Sequence, residues 1–574
     1  MKPTRPNRLD RILYFIESSP ISDRWLLKLI IIALLGSLLS IGLRVNDSFT
    51  AEAPTSGGTI VEGVVGIPRF VNPVLSVTRV DQDMSALIYG GLMKIDPEGK
   101  LEPYIAESIE LQEDGQTYHI KLKDNVHFHD GSLLTARDVA YTIALIQNPN
   151  LKSPLQGNWD GVLVEELGEY ELNVVIEEPY TPFLENFTVG ILPRAIWDEL
   201  PIEQLPFSQH NTEPIGAGPF KISNLKRDNS GLIESYELTA FNEAIERPKI
   251  DSFVMHFYQN EEKLTEAFET GEIMNTTGLP SHIVKEAKSD GAQVIEQPLP
   301  RVFAIFLNQN RSTVLRDKAV RRALSAAIDR GGLIDDVLDG FGVPTTSPVP
   351  PGFIAIESSS TTIASTSTDP TPEEILETAG WHKTTEGSWK KTIDEEEVVL
   401  SVTIATANTP TFERTANAVA TAWQQLGVEV SVEQFEQADL LQGIIRPRNF
   451  QALLFGADLS RSIDLYPFWH SSQKDDPGLN VSQYTNIEVD DLLETIRTSR
   501  DEEEVHQSIA AVEDTISDDL PAIFLYVPNL VYLVDENITV GSLKGVSKPH
   551  ERFSNIEDWH VETGSLWPIF NTEN

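Results

Sequence analysis

The sequence has no cysteine among its 574 residues. This absence excludes disulfide bridges, thiolate metal sites and a cysteine nucleophile. It also excludes the lipid-modified N-terminal cysteine that anchors many exported bacterial proteins. Any attachment of this chain to a membrane therefore has to come from an apolar segment of the polypeptide itself.

Positive charge is also scarce, because 44 Lys and Arg residues stand against 87 Asp and Glu residues, for a formal net charge of −43. Such a field repels the phosphates of nucleic acids and the anionic surfaces of lipid bilayers. We therefore expect no nucleic-acid partner. Solubility is the simplest explanation of the acidic composition.

The motifs of the common enzyme classes are missing as well. There is no G-x-S-x-G, no H-E-x-x-H, no Walker loop and no dinucleotide-binding glycine motif placed after a strand. His127, His129 and Asp130 are close in sequence, but two histidines on one strand have too few further ligands nearby for a metal site. The sequence predicts neither an enzyme nor a metal or other cofactor.

One long apolar run is present, at residues 25–45, with Lys28 as its only charge before Arg44. At 1.5 Å per residue a helix of this length can cross a hydrocarbon core of about 30 Å. Five basic residues precede the run, at positions 2, 5, 8, 11 and 24. The positive-inside bias then keeps residues 1–24 in the cytoplasm and exports the rest. We expect a single-pass membrane protein, extracytoplasmic at the cell surface or in the periplasm.

The run could also be removed as a signal peptide, because Ala51-Glu52-Ala53 has the small-x-small pattern of a signal-peptidase site. Pro54 would follow the scissile bond, where its ring is poorly tolerated, and the site is far from the apolar run. We therefore expect an uncleaved anchor, followed by a flexible linker at residues 46–57.

The exported part mixes strands and helices. Its length exceeds what one hydrophobic core supports, and 40% of the residues of the chain are apolar. Alternating patterns predict strands at residues 59–65, 117–122 and 172–176, and helical spacing predicts a helix at residues 133–146. The fold class is mixed α/β, built from more than one lobe.

The second half of the exported part continues this alternation. The spacing of apolar residues predicts one long helix at residues 315–338, and the stretch rich in Ser, Thr and Pro at residues 356–374 predicts a surface loop. A βαβ unit is predicted from a strand, a helix and a second strand at residues 400–404, 416–426 and 428–432. Gly427 follows the helix, where a C-cap favours a residue with positive φ.

The most specific stretch is residues 106–139. It contains the turn Glu113-Asp114-Gly115, the sequence Phe128-His129-Asp130-Gly131, and a helix start in which Thr135 and Asp138 have the spacing of a capping box. This block resembles the signature of family 5 of the extracellular solute-binding proteins, the dipeptide- and oligopeptide-binding proteins of ABC importers.

The resemblance continues along nearly all of the exported chain. Gly216 and Gly218, on either side of Ala217, describe a tight backbone passage near a hinge, or else an ordinary turn. Further segments match family motifs in order, at residues 214–221, 267–273, 307–330, 379–381, 482–493, 520–526 and 555–559.

The resemblance implies a two-lobed clamp like that of periplasmic binding proteins, of the three-domain peptide-binding type (class II). Domain I would be discontinuous, at residues 58–95, 211–300 and 536–574. Domain II would be residues 96–210 and domain III residues 301–535. A peptide would be captured between the lobes and delivered to an ABC permease driven by ATPase subunits. We expect the binding protein to be a monomer.

A peptide ammonium enclosed in such a cleft needs a carboxylate, because unpaired buried polar groups cost ~1–3 kcal/mol each. Relatives use an aspartate at the end of an apolar strand. Here Asp458 ends such a strand and is our first candidate, with Asp464 as the second. The residues between them lengthen the spacing that is usual in the family, so the choice between the two stays open, and each could also be a solvated loop acid.

Other candidate ligand-binding residues follow from the same resemblance. Phe70 and Asn72 belong to a loop expected to face the cleft, although Asn72 could instead cap a turn. Arg301 is near an expected crossing between lobes and could meet a ligand carboxylate or form a surface salt bridge. Three aromatic residues are candidates for the cleft or for the core, namely Tyr466, Trp469 and Trp159.

Two alternatives remain at this point. The same fold could bind a nickel chelate, haem or an oligosaccharide, although the 11 histidines are scattered and give metal little support. A sensor or adhesion protein could also use the clamp without transport.

Overall fold

The computed structural model describes residue 20, residues 25–26, 29–30, 32–38, 40–41, 51–55, 57–353 and 370–566. The described residues between 25 and 41 are helical, and the rest of the expected anchor and cytoplasmic tail lies outside the described residues. Within the described part of the chain, no helix combines the length and the apolar character that a membrane crossing requires. Residues 356–369 of the expected surface loop are also outside it.

The expected linker is not a flexible coil throughout. Its residues Ala51–Thr55 form a strand that pairs antiparallel with Glu562–Leu566 near the other end of the chain. The prediction of a flexible linker is therefore wrong for these residues. The reason is that a strand distant in sequence supplies the hydrogen-bonding partner, which a local reading of a polar segment does not reveal.

The apolar interior divides into two lobes. One large core is built from residues 60–299 and 530–559, and we call this part the first lobe. Two further cores are built from residues 302–527, which we call the second lobe. Separate cores are expected for a chain of this length, because a single core stops growing at roughly 250–300 residues.

A sheet of 12 strands runs through both lobes. Ten of its strands form one continuous path, in the order Glu429–Phe435, Ser401–Ala407, Ala452–Asp458, Arg301–Leu307, Ala522–Val534, Asn275–Thr276, Thr59–Val65, Ser252–Tyr258, Ile233–Ala240 and Phe220–Arg227. The other two strands also pair with Ala522–Val534, and they are Gln293–Pro298 and Gly342–Pro344.

The lobes are joined where two chain segments cross between them. Ala522–Val534 pairs with Arg301–Leu307 through its first residues and with Gln293–Pro298 through its last residues. Leu299 and Pro300 connect these two partner strands, beside Pro528 of the long strand, whose carbonyl accepts from Leu299 N at 3.1 Å. Prolines interrupt the ladder at this crossing, because they have no N–H to donate.

Smaller sheets complete the fold. The first lobe has a four-stranded sheet in the order Ala106–Leu111, Thr117–Leu122, Glu171–Val175 and Leu163–Gly168. It also has a two-stranded ribbon of Met93–Ile95 and Leu101–Pro103. The second lobe adds a three-stranded sheet in the order His382–Lys383, Trp389–Ile393 and Glu396–Val399.

Helices cover the sheets in both lobes. Those of the first lobe are Arg79–Ile88, Ala136–Gln147, Arg194–Trp197, Glu261–Glu269 and Ser281–Ser289. The second lobe has Thr313–Arg316, Lys318–Ala326, Arg330–Leu338, Pro372–Thr378, Pro410–Leu426, Gln437–Asp439 with the π-turn Leu440–Ile445, Tyr466–Trp469, Ile487–Thr498 and Glu502–Asp519. Short 3₁₀ turns are Gln156–Trp159, Thr181–Thr188, Ile202–Phe207, Gln209–Asn211, Ser471–Gln473, Pro549–Phe553 and Ile556–Asp558.

Several local predictions are confirmed. The strands at 59–65 and 117–122 form with the predicted bounds. The helix Ala136–Gln147 begins with the predicted capping box of Thr135 and Asp138. The βαβ unit also forms, and Gly427 ends its helix with a φ of +101°. Each of these features is decided by residues close in sequence.

The prediction of one long helix at 315–338 is wrong. Three helices occupy this stretch, separated at Asp317 and at Ala327–Asp329. Asp317 accepts from Ala319 N at 3.0 Å, and Asp329 accepts from Gly332 N at 3.1 Å. Each aspartate acts as an N-cap, which starts a new helix instead of continuing the old one.

The glycine-rich crossover is a tight passage, as predicted. A Cβ on Gly216 would be 2.1 Å from Ile88 O, and one on Gly218 would be 2.6 Å from Ile88 C. His129 packs beside it and hydrogen-bonds Gly218 O through Nε2 at 3.1 Å. Burial lowers the pKa of His129 to about 4, so that the ring is neutral at pH 7.

A buried ion cluster holds the C-terminal segment against the first lobe. The Arg552 guanidinium donates to Glu62 and Asp83, with closest distances of 2.7 Å to each. Although burial acts to raise it, the charge of Arg552 keeps the pKa of Asp83 below its usual value. Tyr532 Oη donates to Glu62 at 2.8 Å. The cluster ties three distant parts of the chain together.

Candidate functional site

The largest candidate site is a cavity of about 500 Å³ between the lobes, which we call the interlobe cavity. Its volume is in the range of about 300–1,000 Å³ typical of small-solute sites. The first lobe contributes Ile95, Leu101, Gly157, Asn158, Tyr180, Pro182, Glu185, Asn186, Thr188, Lys548 and Glu551. The second lobe contributes Asp458, Leu459, Ser460, Arg461, Ser462, Asp464, Pro467, Phe468, Leu479 and Arg497.

A second cavity, of about 240 Å³, is lined only by first-lobe residues, and we call it the first-lobe cavity. It adjoins the interlobe cavity, because seven residues line both. The shared residues are Ile95, Asn158, Glu185, Asn186, Thr188, Lys548 and Glu551. The two cavities are therefore adjacent and share part of their walls.

Two sequence-predicted residues, Asp458 and Arg301, form a pair at the edge of the interlobe cavity. They are opposite each other in the register of antiparallel neighbouring strands. Arg301 Nη2 donates to Asp458 Oδ2 at 2.6 Å, with side-chain exposures of 43% and 46%. An ion pair this exposed contributes only ~0–1 kcal/mol, so its partners can be exchanged.

Asp464 lines the same cavity but is held differently. It is buried, and Arg497 donates to it through Nε at 3.1 Å and Nη2 at 2.5 Å. Tyr180 Oη, from the other lobe, donates to Asp464 Oδ2 at 3.1 Å. Burial raises the pKa of Tyr180, which keeps this hydroxyl a donor. The charge of Asp464 is thus already compensated within the protein.

The predicted aromatic residues have different surroundings. Tyr466 stacks on His470 with ring centroids 4.1 Å apart, and the Arg497 Cζ atom is 3.9 Å from the Tyr466 ring centroid. Tyr466 thereby packs against Arg497, and it does not line the interlobe cavity. Trp469 is buried among aromatic residues of the second lobe, and its ring centroid is 5.9 Å from that of Phe306. It is therefore a core residue, which is one of the two alternatives considered for it.

Trp159 is a core residue, one of the two alternatives considered for it, and it does not line the interlobe cavity. It is buried against Phe183 and Phe187, at centroid distances of 5.3 and 6.1 Å. It also lines the first-lobe cavity. The aromatic cluster holds the indole in place, so that this wall of the cavity is rigid.

Phe70 and Asn72 do not line either cavity. Asn72 is buried, and its Oδ1 accepts from Val74 N at 2.9 Å. Its Nδ2 donates to Asn211 Oδ1 at 3.2 Å, so it caps a turn, the alternative considered for it. Phe70 packs against the first-lobe core with the Arg69 guanidinium 5.5 Å from its ring.

Sequence reasoning did not identify Arg461, which reaches across the cleft from the second lobe. Its guanidinium donates to Gly99 O at 2.9 Å, to Gly545 O and to Glu551 Oε2 at 2.6 Å. The sequence feature that could have pointed to Arg461 is the unusual spacing between Asp458 and Asp464. The loop that fills this spacing has non-glycine residues with positive φ, 59° at Ser460 and 52° at Ile463. Such conformations concentrate at functional sites.

Glu185 and Glu557 were also not identified. Glu185 accepts from Ser462 N across the cleft at 2.6 Å, and burial raises its pKa. Glu557 lines the first-lobe cavity, and burial raises its pKa to about 7. Nothing in the local sequence distinguishes either residue from the many surface carboxylates of this chain.

The interlobe cavity can enclose a polar solute and contact it from both lobes. Carboxylates and guanidinium groups line it together, so it offers charges of both signs to a ligand. Backbone hydrogen bonds are available as well, because the strand Ala452–Asp458 ends at its edge.

Known proteins resemble this chain over most of its length. The family model for bacterial extracellular solute-binding proteins, family 5, matches residues 100–477. The oligopeptide-binding protein AppA of Bacillus subtilis is 28% identical over 518 residues, which cover 89% of this chain and 93% of AppA. The oligopeptide-binding protein OppA of the same organism is 24% identical over 506 residues, 84% of this chain and 89% of OppA.

Solved structures agree with these matches. The structure of Bacillus subtilis AppA in complex with a nonapeptide has a TM-score of 0.64 at 27% identity, and the match covers 89% of this chain and all (100%) of AppA. The ABC transporter substrate-binding protein CtaP of Listeria monocytogenes has the same fold, with a TM-score of 0.70 at 23% identity, covering 88% of this chain and 100% of CtaP. The resemblance inferred from the sequence is confirmed, and this chain belongs to family 5 of the bacterial extracellular solute-binding proteins.

Proposed function

We propose that this protein captures peptides in the interlobe cavity and delivers them to an ABC-type permease. The observation that carries the proposal is the cavity of about 500 Å³, which both lobes line and whose edge carries an exchangeable carboxylate, Asp458. The names of AppA and OppA, both oligopeptide-binding proteins, support the same ligand class.

In this proposal Asp458 receives the peptide ammonium. Its pair with Arg301 is nearly half exposed, so an entering ammonium can replace the guanidinium without a large loss of stability. Arg301 then becomes available to a carboxylate or carbonyl of the peptide. Asp464 is less suited to the ammonium, because Arg497 already neutralises it in a buried pair. We assign Asp464 and Arg497 to the wall of the site, with Tyr466 packed against Arg497 outside it.

Ligand binding would be coupled to closure of the lobes. A peptide stabilises the closed arrangement only to the extent that it contacts both lobes. Direct contacts between the lobes already favour closure in the described residues, such as Tyr180 with Asp464 and Ser462 with Glu185. The closed, loaded protein would then dock on the permease, whose ATPase subunits drive import.

Titration of the purified full-length chain with defined peptides tests the proposal. We expect alanine peptides with free termini to raise the melting temperature and to release heat on binding. Peptides recovered with the protein and identified by mass spectrometry would give the natural ligand class. If no peptide raises the melting temperature while a sugar or a metal chelate does, the proposal is wrong.

We also propose that residues 25–45 anchor the protein in the membrane, with the bulk of the chain outside the cytoplasm. Support comes from the length and apolar character of the run, and from large apolar side chains such as Leu29 and Ile32 that are exposed. Alkaline carbonate extraction should leave the full-length chain in the membrane pellet and release a variant without residues 1–57. Recovery of a mature protein that begins at Pro54 would contradict an uncleaved anchor.

A further inference from the structure

The first-lobe cavity has an unusual set of polar atoms in its wall. Ser85 Oγ, His550 Nδ1 and Glu557 Oε2 are buried and form no hydrogen bond within the described part of the protein, and the Tyr104 hydroxyl is buried beside the Glu557 carboxyl group. All four residues line this cavity. Each such atom costs ~1–3 kcal/mol unless a partner reaches it, so the wall is suited to a polar group that enters the cavity.

Charged groups of both signs surround this wall. The Lys94 ammonium is 2.6 Å from Glu246 and 3.5 Å from Glu102, and it also lines the cavity. Glu557 is a third carboxyl group close enough to affect the pKa of Lys94. Lys123 is a second ammonium near Glu246 and Glu102, and Lys548 also lines the cavity, so Glu557 is the carboxyl group of these three that faces the cavity.

The number of acceptors also matches a primary ammonium, which has three N–H bonds to donate. Ser85 Oγ and Glu557 Oε2 are unpartnered oxygens that can accept, and the Tyr104 hydroxyl oxygen beside Glu557 is a third acceptor. Of these residues Glu557 has an exposure of 7% and Tyr104 of 3%, so a hydrogen bond formed there is shielded from water.

The rest of the wall suits an aliphatic chain. Aromatic and apolar residues surround the polar atoms, among them Tyr89, Met93, Trp159 and Phe553. The volume of about 240 Å³ accommodates a long side chain. Because seven residues are shared with the interlobe cavity, a peptide bound between the lobes can extend one of its groups into this space.

We propose that the first-lobe cavity receives a primary ammonium of the bound solute, with Glu557 as its counter-charge and Tyr104 and Ser85 as further acceptors. This inference rests on the proposed peptide function and adds a substrate class, peptides that carry a second positive charge. The ammonium is that of a lysine side chain, because Asp458 receives the N-terminal ammonium of the same peptide.

The test uses the full-length chain and isothermal titration calorimetry with tetraalanine peptides. In one series lysine replaces alanine at each position in turn, and in a matched series norleucine replaces it, which keeps the aliphatic chain and removes the charge. Both series are also prepared with acetylated N-termini. The protein is compared with Glu557→Gln, with Tyr104→Phe and with the control Asp558→Asn, which removes a charge from the neighbouring, exposed residue paired with Lys249.

We expect the unchanged protein to bind one lysine peptide about tenfold more tightly than its norleucine counterpart, the size of effect typical of a charge-assisted hydrogen bond. Glu557→Gln should remove this preference, Tyr104→Phe should reduce it, and Asp558→Asn should keep it. Acetylation of the N-terminus should weaken binding equally in the unchanged protein and in Glu557→Gln, because Asp458 receives the N-terminal ammonium.

Two results would overturn the proposal that the first-lobe cavity receives an ammonium. If the unchanged protein shows no lysine preference, or if Glu557→Gln and Tyr104→Phe both keep that preference unchanged, the cavity does not receive an ammonium. The peptide function itself would stand in that case, because the peptides still bind. If the unchanged protein binds none of the peptides, the proposed function fails, and this inference fails with it.

Discussion

Arg461 of the second lobe and Glu551 of the first lobe form an ion pair across the cleft at 2.6 Å, and both side chains are almost entirely buried. The same guanidinium donates to the carbonyl groups of Gly99 and Gly545, whose chains pass very close to each other. A Cβ on Gly99 would be only 2.8 Å from Gly545 Cα. One arginine thus holds two segments of the opposite lobe, so it is placed to stabilise the closed form.

Arg461→Met should therefore weaken peptide binding by about tenfold, because the closed state loses its shared contacts while the apolar stem is kept. Calorimetry would measure the affinity, and small-angle scattering of the ligand-free protein should show a larger radius of gyration. Arg322→Met is a suitable control, since Arg322 makes an exposed ion pair with Asp518 on the same lobe. Unchanged affinity and an unchanged radius would show that Arg461 does not control closure.

Asp458→Ala should remove the stabilisation by peptides with a free N-terminus and leave folding intact. The exposed pair with Arg301 contributes ~0–1 kcal/mol, so the melting temperature without ligand should change little. Thermal-shift titration with free and N-acetylated peptides would measure the effect. Asp518→Ala is the control for an exposed acid of the same lobe. A full thermal shift in Asp458→Ala would move the ammonium to Asp464 or away from both residues.

Arg552→Met should destabilise the first lobe by about 3–5 kcal/mol, because Glu62 and Asp83 would remain buried without their counter-charge. Denaturant unfolding monitored by tryptophan fluorescence would measure this loss. The matched variant Arg322→Met breaks only an exposed pair and should cost ~0–1 kcal/mol. Equal losses in the two variants would mean that the buried cluster contributes no more than a surface pair.

The stability of the protein should also depend on Glu557 in a defined pH window. Burial raises its pKa from 4.5 to about 7 in the folded state, while Lys94 acts to lower it and Glu246 and Asp558 act to raise it. Folding therefore favours the protonated carboxyl, so this residue costs no stability below pH 4.5 and costs about 3 kcal/mol above pH 7.

Glu557→Gln should remove this dependence. The free energy of unfolding of the variant relative to the unchanged protein should rise between pH 4.5 and about 7 and then level off. Denaturant unfolding at a series of pH values measures this difference, and Glu203→Gln, at an exposed residue, serves as the control. If the difference in the free energy of unfolding does not change between pH 4.5 and about 7, the pKa of Glu557 is not raised.

Much of the fold could be predicted from local sequence. The strand at 59–65 and the capping box of Thr135 and Asp138 form as predicted, because alternation and cap chemistry involve residues only a few positions apart. The long helix at 315–338 was not predicted correctly, although its two interrupting aspartates were visible in the sequence. Their side chains satisfy N-terminal backbone groups, and this effect was stronger than the apolar periodicity.

The candidate site could be located only in part. Asp458, Asp464 and Arg301 were identified through the family motifs, and they do lie together at the edge of the cleft. Their pairing with particular arginines was not predicted. Asn72 and Trp469 were candidates for the cleft and are turn and core residues instead, because burial of a side chain depends on segments that pack against it from elsewhere.

The sequence alone determined the family, the mixed α/β class and the stretch that contains Asp458 and Asp464, since these follow from ordered motifs and local periodicity. Only the tertiary structure decided which charged side chains form ion pairs and which are buried. Arg461 reaches Glu551, 90 positions away, and Glu557 is buried beside Tyr104 in a second cavity. Electrostatic interactions depend on distance and burial in space, and these quantities exist only after distant segments have packed together.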